Sequence, residues 1–386
     1  MSRVVLMPSS YPPSLGGVEE LSRHLALALV EAGDAVEVWV PTVEDTDAPF
    51  TVELDGITVR RFPMPLPSSD PRTLTRLPTA SIRSLLELKR AATAFRPDLL
   101  NVQCFGPNGI YATALATVGR LPLVVSLQGE TVMDDTDIFT RSSVMRTGIR
   151  WGLRRARVVT GCSAFTLADA QGRFGLDPAK SVVVANGVDL SAGDDPAAAW
   201  DGAPDRPYLL GLGRVVAKKG FDLLLGAYAR IPEAERTADL VVGGEGAQLA
   251  PLRREAARLG LADRVHFPGR LTRQEVAAAM AGAELFVMPS RLEPFGIVIL
   301  EAWRAGTPVL ATSIGGPPEF VRPDVDGVLV DPTDTGAFTD VLRGLLADAD
   351  RRARLGAAGA RRVTEFAWPV VASSYRELYA ALGPAL

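Results

Sequence analysis

The sequence predicts an α/β protein of two doubly wound domains, each a mostly parallel sheet covered by helices, facing one another across an interdomain cleft. Three observations point there. The chain has 386 residues, more than the roughly 250 at which a single core stops growing. Short apolar runs alternate with helical stretches through both halves. Between the halves, residues 191–207 are dominated by Gly, Ala, Asp and Pro and lose all periodicity, as a linker does.

In the first half, apolar runs at 4–7, 36–40, 99–102, 123–127, 158–161 and 182–184 read as strands. After the first of them, Gly16 and Gly17 open a helix whose Val18, Leu21, Leu25 and Leu29 share one face, and Gly33 stops it. Residues 63–78, rich in Pro and Ser, read as a long loop. The strand pattern restarts at 209–212 and continues at 240–242, 265–267, 285–288, 309–311 and 328–330. The expected division is a domain at 1–195, a second at 196–369, and a last helix within 370–386.

Composition removes several classes of function. The chain carries 41 basic and 45 acidic residues, a net charge of −4, which gives no basic face for nucleic acid. Its two cysteines and two histidines are too few for a disulfide framework, a structural zinc site or a histidine-based triad. No signal peptide or membrane span is legible, so the expected location is cytoplasmic, without stable membrane insertion. The basic residues are 37 Arg and only 4 Lys. Two of those lysines, Lys218 and Lys219, are adjacent, which hints that an ammonium is required there.

Glycines at the ends of strands let backbone amides approach a phosphate, so Gly16 and Gly17 at a helix start form one candidate site. A second begins at Gly211-Leu212-Gly213-Arg214 and continues through Lys218-Lys219-Gly220: an Arg fork and an ammonium beyond a strand suit a diphosphate. Gly243-Gly244-Glu245-Gly246 is a third, weaker glycine cluster. Glu293 and Glu301 are expected along one helix bracketed by Pro294 and Gly306, about 80° and about 12 Å apart, with the apolar neighbours of Glu301 arguing for hydroxyl partners.

These motifs, with Asn186-Gly187-Val188-Asp189, Gly269 and Gly315-Gly316-Pro317-Pro318-Glu319, resemble the retaining glycosyltransferases of the family four type, which have the GT-B fold of two Rossmann-like domains. The resemblance covers nearly the whole chain. It implies Arg214, Lys219 and Glu293 as catalytic residues, the first two on the donor diphosphate and Glu293 on the sugar. It implies Glu301 at the ribose, Arg270 and Leu271 near the base, the backbone of Gly17, Phe295, Gly296, Ile297 and Val298 around the phosphates, and Gly213 and Gly244 among the donor-binding residues. The last helix would cross back to the first domain. One departure stands out: the family usually shows a His where Gln128 lies, and Gln128 can exchange hydrogen bonds with a sugar but cannot titrate.

The expected activity is therefore a retaining transfer, without metal or other cofactor, of a hexose or amino-hexose from a nucleoside-diphosphate sugar to a small acceptor. UDP is favoured as the commonest donor base in the family. Acidic residues Glu130, Asp134, Asp135 and Asp137 could attract a cationic acceptor, such as an amino sugar or aminocyclitol in aminoglycoside antibiotic biosynthesis. The alternatives are a lipid or cell-wall acceptor, a nucleotide-sugar epimerase, and a noncatalytic nucleotide-binding protein. Arg146, Arg150, Arg154 and Arg157 form a stripe that could answer those acids or touch an anionic surface. Replacing Lys219 by Ala is expected to lower turnover and leave folding nearly untouched.

Overall fold

The computed structural model describes residues 1–14, 16–42, 48–67, 71–133, 137–191 and 200–383. The chain divides into one compact unit of Met1–Asn186 with Trp368–Leu386 and another of Gly187–Ala367. This boundary falls nine residues before the one expected from the linker composition. The reason lies at its edges: Val188 bridges Ala367, and Trp200, inside the expected linker, is buried against the Tyr208 ring.

The first unit runs β1 (Arg3–Pro8), α1 (Gly17–Glu31), β2 (Ala35–Pro41), β3 (Phe50–Leu54), β4 (Ile57–Phe62), α2 (Pro71–Phe95), β5 (Leu99–Gln103), α3 (Pro107–Gly119), β6 (Leu123–Leu127), α4 (Glu130–Met133), α5 (Ile138–Arg141), α6 (Ser143–Arg155), β7 (Val158–Gly161), α7 (Ala164–Phe174) and β8 (Ser181–Val183). Among the described residues these strands make one sheet in the order β3-β4-β2-β1-β5-β6-β7-β8, parallel except for β3. The central strands β5 and β6 are buried along their whole length, as expected where helices cover both faces. Successive strands leave β1 in opposite directions, so the topological switch lies between the carboxyl ends of β1 and β5.

The second unit runs β9 (Tyr208–Leu212), α8 (Phe221–Arg230), β10 (Asp239–Gly243), α9 (Leu249–Arg258), β11 (Val265–Gly269), α10 (Arg273–Ala281), β12 (Leu285–Met288), α11 (Ile297–Arg304), β13 (Val309–Thr312), β14 (Val328–Val330), α12 (Thr335–Ala347) and α13 (Ala349–Arg362). Its sheet is parallel, in the order β11-β10-β9-β12-β13-β14, and its switch lies between β9 and β12. The final helix, α14 (Trp368–Ala381), belongs to the first unit. There Arg376 bonds the buried Asp34 at 2.8 Å and Trp368 stacks on His24, with ring centroids 5.7 Å apart.

Two expectations change. Residues 71–78 are helix rather than loop: Pro71 starts α2, where a proline loses nothing, and Pro78 lies within it at the loss of one backbone hydrogen bond. Helix α11 has eight residues and starts after Gly296, whose φ of +95° is left-handed, so Glu293 precedes the helix and the expected helical spacing to Glu301 does not apply.

Candidate functional site

The second unit places Gly213, Arg214, Lys219 and Glu293 beyond the strands that flank the switch between β9 and β12, while Gly244 follows β10 and Arg270 and Leu271 follow the edge strand β11. Gly213, Arg214 and Lys219 follow β9, while Ser290 and Glu293 follow β12. Lys219 Nζ donates to Glu293 Oε2 at 2.6 Å, and Ser290 Oγ donates to the same oxygen at 2.9 Å. The pair is largely closed to solvent, with the Lys219 side chain 17 % and the Glu293 side chain 7 % exposed. Such a carboxylate is held by its two donors, and the ammonium keeps a small open edge.

The loops carrying this pair are pinned to each other. Arg291 forks onto Asp222 with two bonds of 2.7 and 2.6 Å, reaches the Ala217 carbonyl at 2.8 Å, and its own backbone N–H bonds Lys218 O at 2.9 Å. Burial alone would raise the Asp222 carboxyl; the Arg291 guanidinium overrides it and holds Asp222 below the usual carboxylate range. Glu293 is fixed through its backbone as well, accepting from Gly316 N at 2.8 Å and donating to Ile314 O at 3.2 Å. Two glycines make this closeness possible. A Cβ at Gly220, where φ is +67°, would stand 2.0 Å from Pro289 O, and one at Gly315, where φ is +108°, 2.0 Å from Glu293 O.

Of the other candidates in this unit, Arg214 and Arg270 are exposed, Leu271 lies against Gly243, and Gly244 N donates to Gly269 O at 2.7 Å. Phe295 is buried and stacked on Phe320 with centroids 4.6 Å apart, so its side chain is core. Gly296 caps α11, on which Ile297 and Val298 form the first turn. Glu301 is half-buried among fully buried Leu300, Ala302 and Trp303. Ser290 and Arg291 were not singled out in the sequence. The signal available was their place, directly beyond the strand whose end carries Glu293.

The first unit holds Gly17, Gln128 and the acidic candidates. A Cβ on Gly17 would meet nothing within 4 Å, so its backbone at the start of α1 is open. Gln128, just past β6, donates through Nε2 to Gln103 Oε1 at 3.1 Å. Glu130 departs from the expected acceptor role. Its Oε1 accepts from Phe105 N at 2.6 Å and its Oε2 from Gln128 N at 2.7 Å, so the carboxylate ties the loops after β5 and β6 together instead of standing free for a cation. Burial pushes this carboxyl up to about 7 although both amides favour its charged form. Asp134 and Asp135 lie outside the described residues, and Asp137 is exposed at the start of α5. Within the arginine stripe, Arg146 bonds the Thr140 carbonyl and Arg150 the Arg173 carbonyl, while Arg154 and Arg157 are exposed.

A family model described as Glycosyltransferase Family 4 matches residues 15–192, and one described as Glycosyl transferases group 1 matches residues 198–362. The chain is 31% identical, over 97% of its own length and 97% of the relative's, to a GDP-mannose-dependent alpha-(1-6)-phosphatidylinositol monomannoside mannosyltransferase of Mycobacterium tuberculosis. It is 30% identical to a glycogen synthase of the same species, over 98% of this chain and 94% of that one. Among solved structures, sucrose-phosphate synthase from Thermosynechococcus elongatus superposes with a TM-score of 0.80 over 98% of both chains at 24% identity, a likeness of fold.

Proposed function

The chain belongs to the family 4 glycosyltransferases, with the two Rossmann-like units of the GT-B fold, and on that premise we propose that it transfers a hexose from a nucleoside-diphosphate sugar to an acceptor hydroxyl with retention of anomeric configuration. The observation that carries this reading is the Lys219, Glu293 and Ser290 cluster at the switch point of the second unit. Lys219 and Arg214 would hold the donor diphosphate and stabilise the charge that grows as the glycosyl bond breaks. Glu293 would meet sugar hydroxyls with its remaining lone pairs, and Glu301 the ribose. The acceptor proton passes to the leaving phosphate oxygen, so the transfer needs no histidine base, and Arg214 and Lys219 would supply the positive charge that the departing diphosphate requires.

For the acceptor, a lipid-linked polyol or sugar is the better supported reading. The exposed face of α2 carries Ile82 and Leu86, 59 % and 51 % exposed, beside exposed Arg83, Lys89 and Arg90. That combination suits an anionic lipid surface. No helix among the described residues is long and apolar enough to cross a membrane, so the contact would be peripheral. The mycobacterial relative named above is described as acting on a phosphatidylinositol mannoside, which favours the same class. A soluble amino sugar keeps Asp137 but loses Glu130.

The test is a donor and acceptor panel with purified protein. UDP-glucose and GDP-mannose would each be offered with a phosphatidylinositol-type lipid in vesicles, with its water-soluble headgroup, and with an aminocyclitol. Transfer to the lipid, reduced by Arg83→Ala with Lys89→Ala and Arg90→Ala while headgroup transfer is kept, supports the reading. Transfer only to the aminocyclitol restores the antibiotic one. A changed sugar without any acceptor would identify an epimerase.

A further inference from the structure

Three groups of the second unit meet at one oxygen. Lys219 Nζ donates to Glu293 Oε2 at 2.6 Å and Ser290 Oγ to the same atom at 2.9 Å, and Ser290 has no exposed surface. The direction of both bonds is fixed by the chemistry of the groups. An ionised carboxylate only accepts and an ammonium only donates, so the hydroxyl proton points at Oε2 and Lys219 commits one of its three protons there. Among the described residues Nζ has no second acceptor, which leaves two protons for a ligand. The loop that carries Ser290 is held against the loop that carries Lys219: a Cβ on Gly220 would come 2.0 Å from Pro289 O, and Arg291 N donates to Lys218 O at 2.9 Å. In an open parallel sheet a ligand binds beyond the carboxyl ends of the strands at the switch. Here those strands are β9 and β12, and a Cβ on Gly213, the first residue past β9, would meet nothing within 4 Å.

From this geometry we propose that Ser290 is a positioning residue that acts through Glu293 on Lys219: its hydroxyl takes up part of the carboxylate's charge, so that the ammonium keeps its attraction for a ligand phosphate. The inference rests on the reading that Lys219 holds the donor diphosphate, and adds what sets the strength of that hold. It needs no group outside the second unit. An ammonium and a carboxylate 2.6 Å apart nearly cancel one another's field at the distance of a bound ligand. The hydroxyl dipole, its positive end on Oε2, tips that balance toward the ammonium. Water does not take over when the hydroxyl is removed, because the space vacated at a fully buried position is smaller than one water molecule. The carboxylate charge then falls on Lys219 alone, and a phosphate meets a more nearly neutral pair.

The experiment measures by titration calorimetry the Kd for UDP and for GDP, following the tighter of the two. The proteins are wild type, Lys219→Ala, Ser290→Ala, Glu293→Gln and the double variant Ser290→Ala with Glu293→Gln. Ser290→Ala should weaken binding by about three- to tenfold, the worth of one hydrogen bond to a charged group felt partly or wholly at the ammonium. In the Glu293→Gln background the same substitution should change Kd by less than about twofold, because no carboxylate charge is left for the hydroxyl to share. A merely structural serine would weaken binding alike in both backgrounds. That equal loss would overturn the positioning role, as would a Ser290→Ala protein that binds like wild type while Lys219→Ala binds weakly; in either case Lys219 stays at the diphosphate. If Lys219→Ala itself binds as wild type does, the reading of Lys219 fails and the inference with it. Should Ser290→Ala not fold, Ser290→Cys decides, since it fills the site and donates only weakly. It should lose affinity in the wild-type background and not with Glu293→Gln, and an equal loss in both would overturn the proposal.

Discussion

Replacing Lys219 by alanine removes two things at once, a cation for the donor diphosphate and the ionic partner of a buried carboxylate. The sequence alone predicts only the first. With Glu293 at 7 % exposure and 2.6 Å from Nζ, the second follows from the structure. Breaking a buried pair costs about 3 to 5 kcal/mol, but Ser290 Oγ still donates at 2.9 Å and water can enter where Lys219 stood, so a loss of about 1 to 3 kcal/mol is expected. The thermal midpoint of the second unit should fall by roughly 2 to 10 °C. Turnover should fall by about 30- to 1000-fold, or about 2 to 4 kcal/mol of transition-state stabilisation. The two losses separate in a double-mutant cycle. Glu293→Gln keeps an acceptor for Ser290 and frees the ammonium, so a nucleoside diphosphate should bind this variant more tightly than wild type, although its turnover falls. Lys219→Ala with Glu293→Gln should regain most of the stability, since no buried charge is left unpaired, and regain no activity. Calorimetric melts, diphosphate titration and initial rates would check the cycle. Recovery of activity in parallel with stability would refute a catalytic role for Lys219 and leave it a counter-ion.

The Glu130 carboxyl, raised from 4.5 to about 7, favours the protonated fold: its contribution to stability is complete below about pH 4.5 and is lost as pH rises through about 7. Denaturant melts should show this component, at most about 3 kcal/mol, in wild type and not in Glu130→Gln. Arg291→Met opens the clamp that holds the Lys219 loop, so initial rates should fall by more than the roughly 1 kcal/mol lost from a half-exposed ion pair in a chemical melt. Gly315→Ala should displace the Glu293 backbone and cost both stability and turnover, with the melt and the rate read on the same preparation.

The central parallel strands were legible because they are buried on both faces and so appear as short, mostly apolar runs, as at 123–127 with Ser126 its one polar residue. The hairpin of β3 and β4 was not. Phe50–Leu54 is an edge strand whose residues alternate between exposed and half-buried, and its Thr and Glu break the pattern. Helix α2 was obscured by its two prolines, which sequence reasoning takes as breakers although one sits at the first helical position. At the site, the scarcity of lysine singled out Lys219, and Glu293 was singled out by a helical spacing that does not hold; their ion pair joins residues 74 apart in sequence on loops after two different strands. Asn101 lies inside the run at 99–102 that was read as apolar and was not singled out. Its buried side chain donates to Ser126 Oγ, a contact that depends on the register between β5 and β6.

Retaining transfer from a nucleoside-diphosphate sugar is most directly tested by the anomeric configuration of the first product, read by proton NMR while the reaction runs with an α-linked donor. The account predicts an α-linked product, with nucleoside diphosphate released in step with acceptor consumed. A β-linked product, or an epimerised donor formed without acceptor, would contradict it.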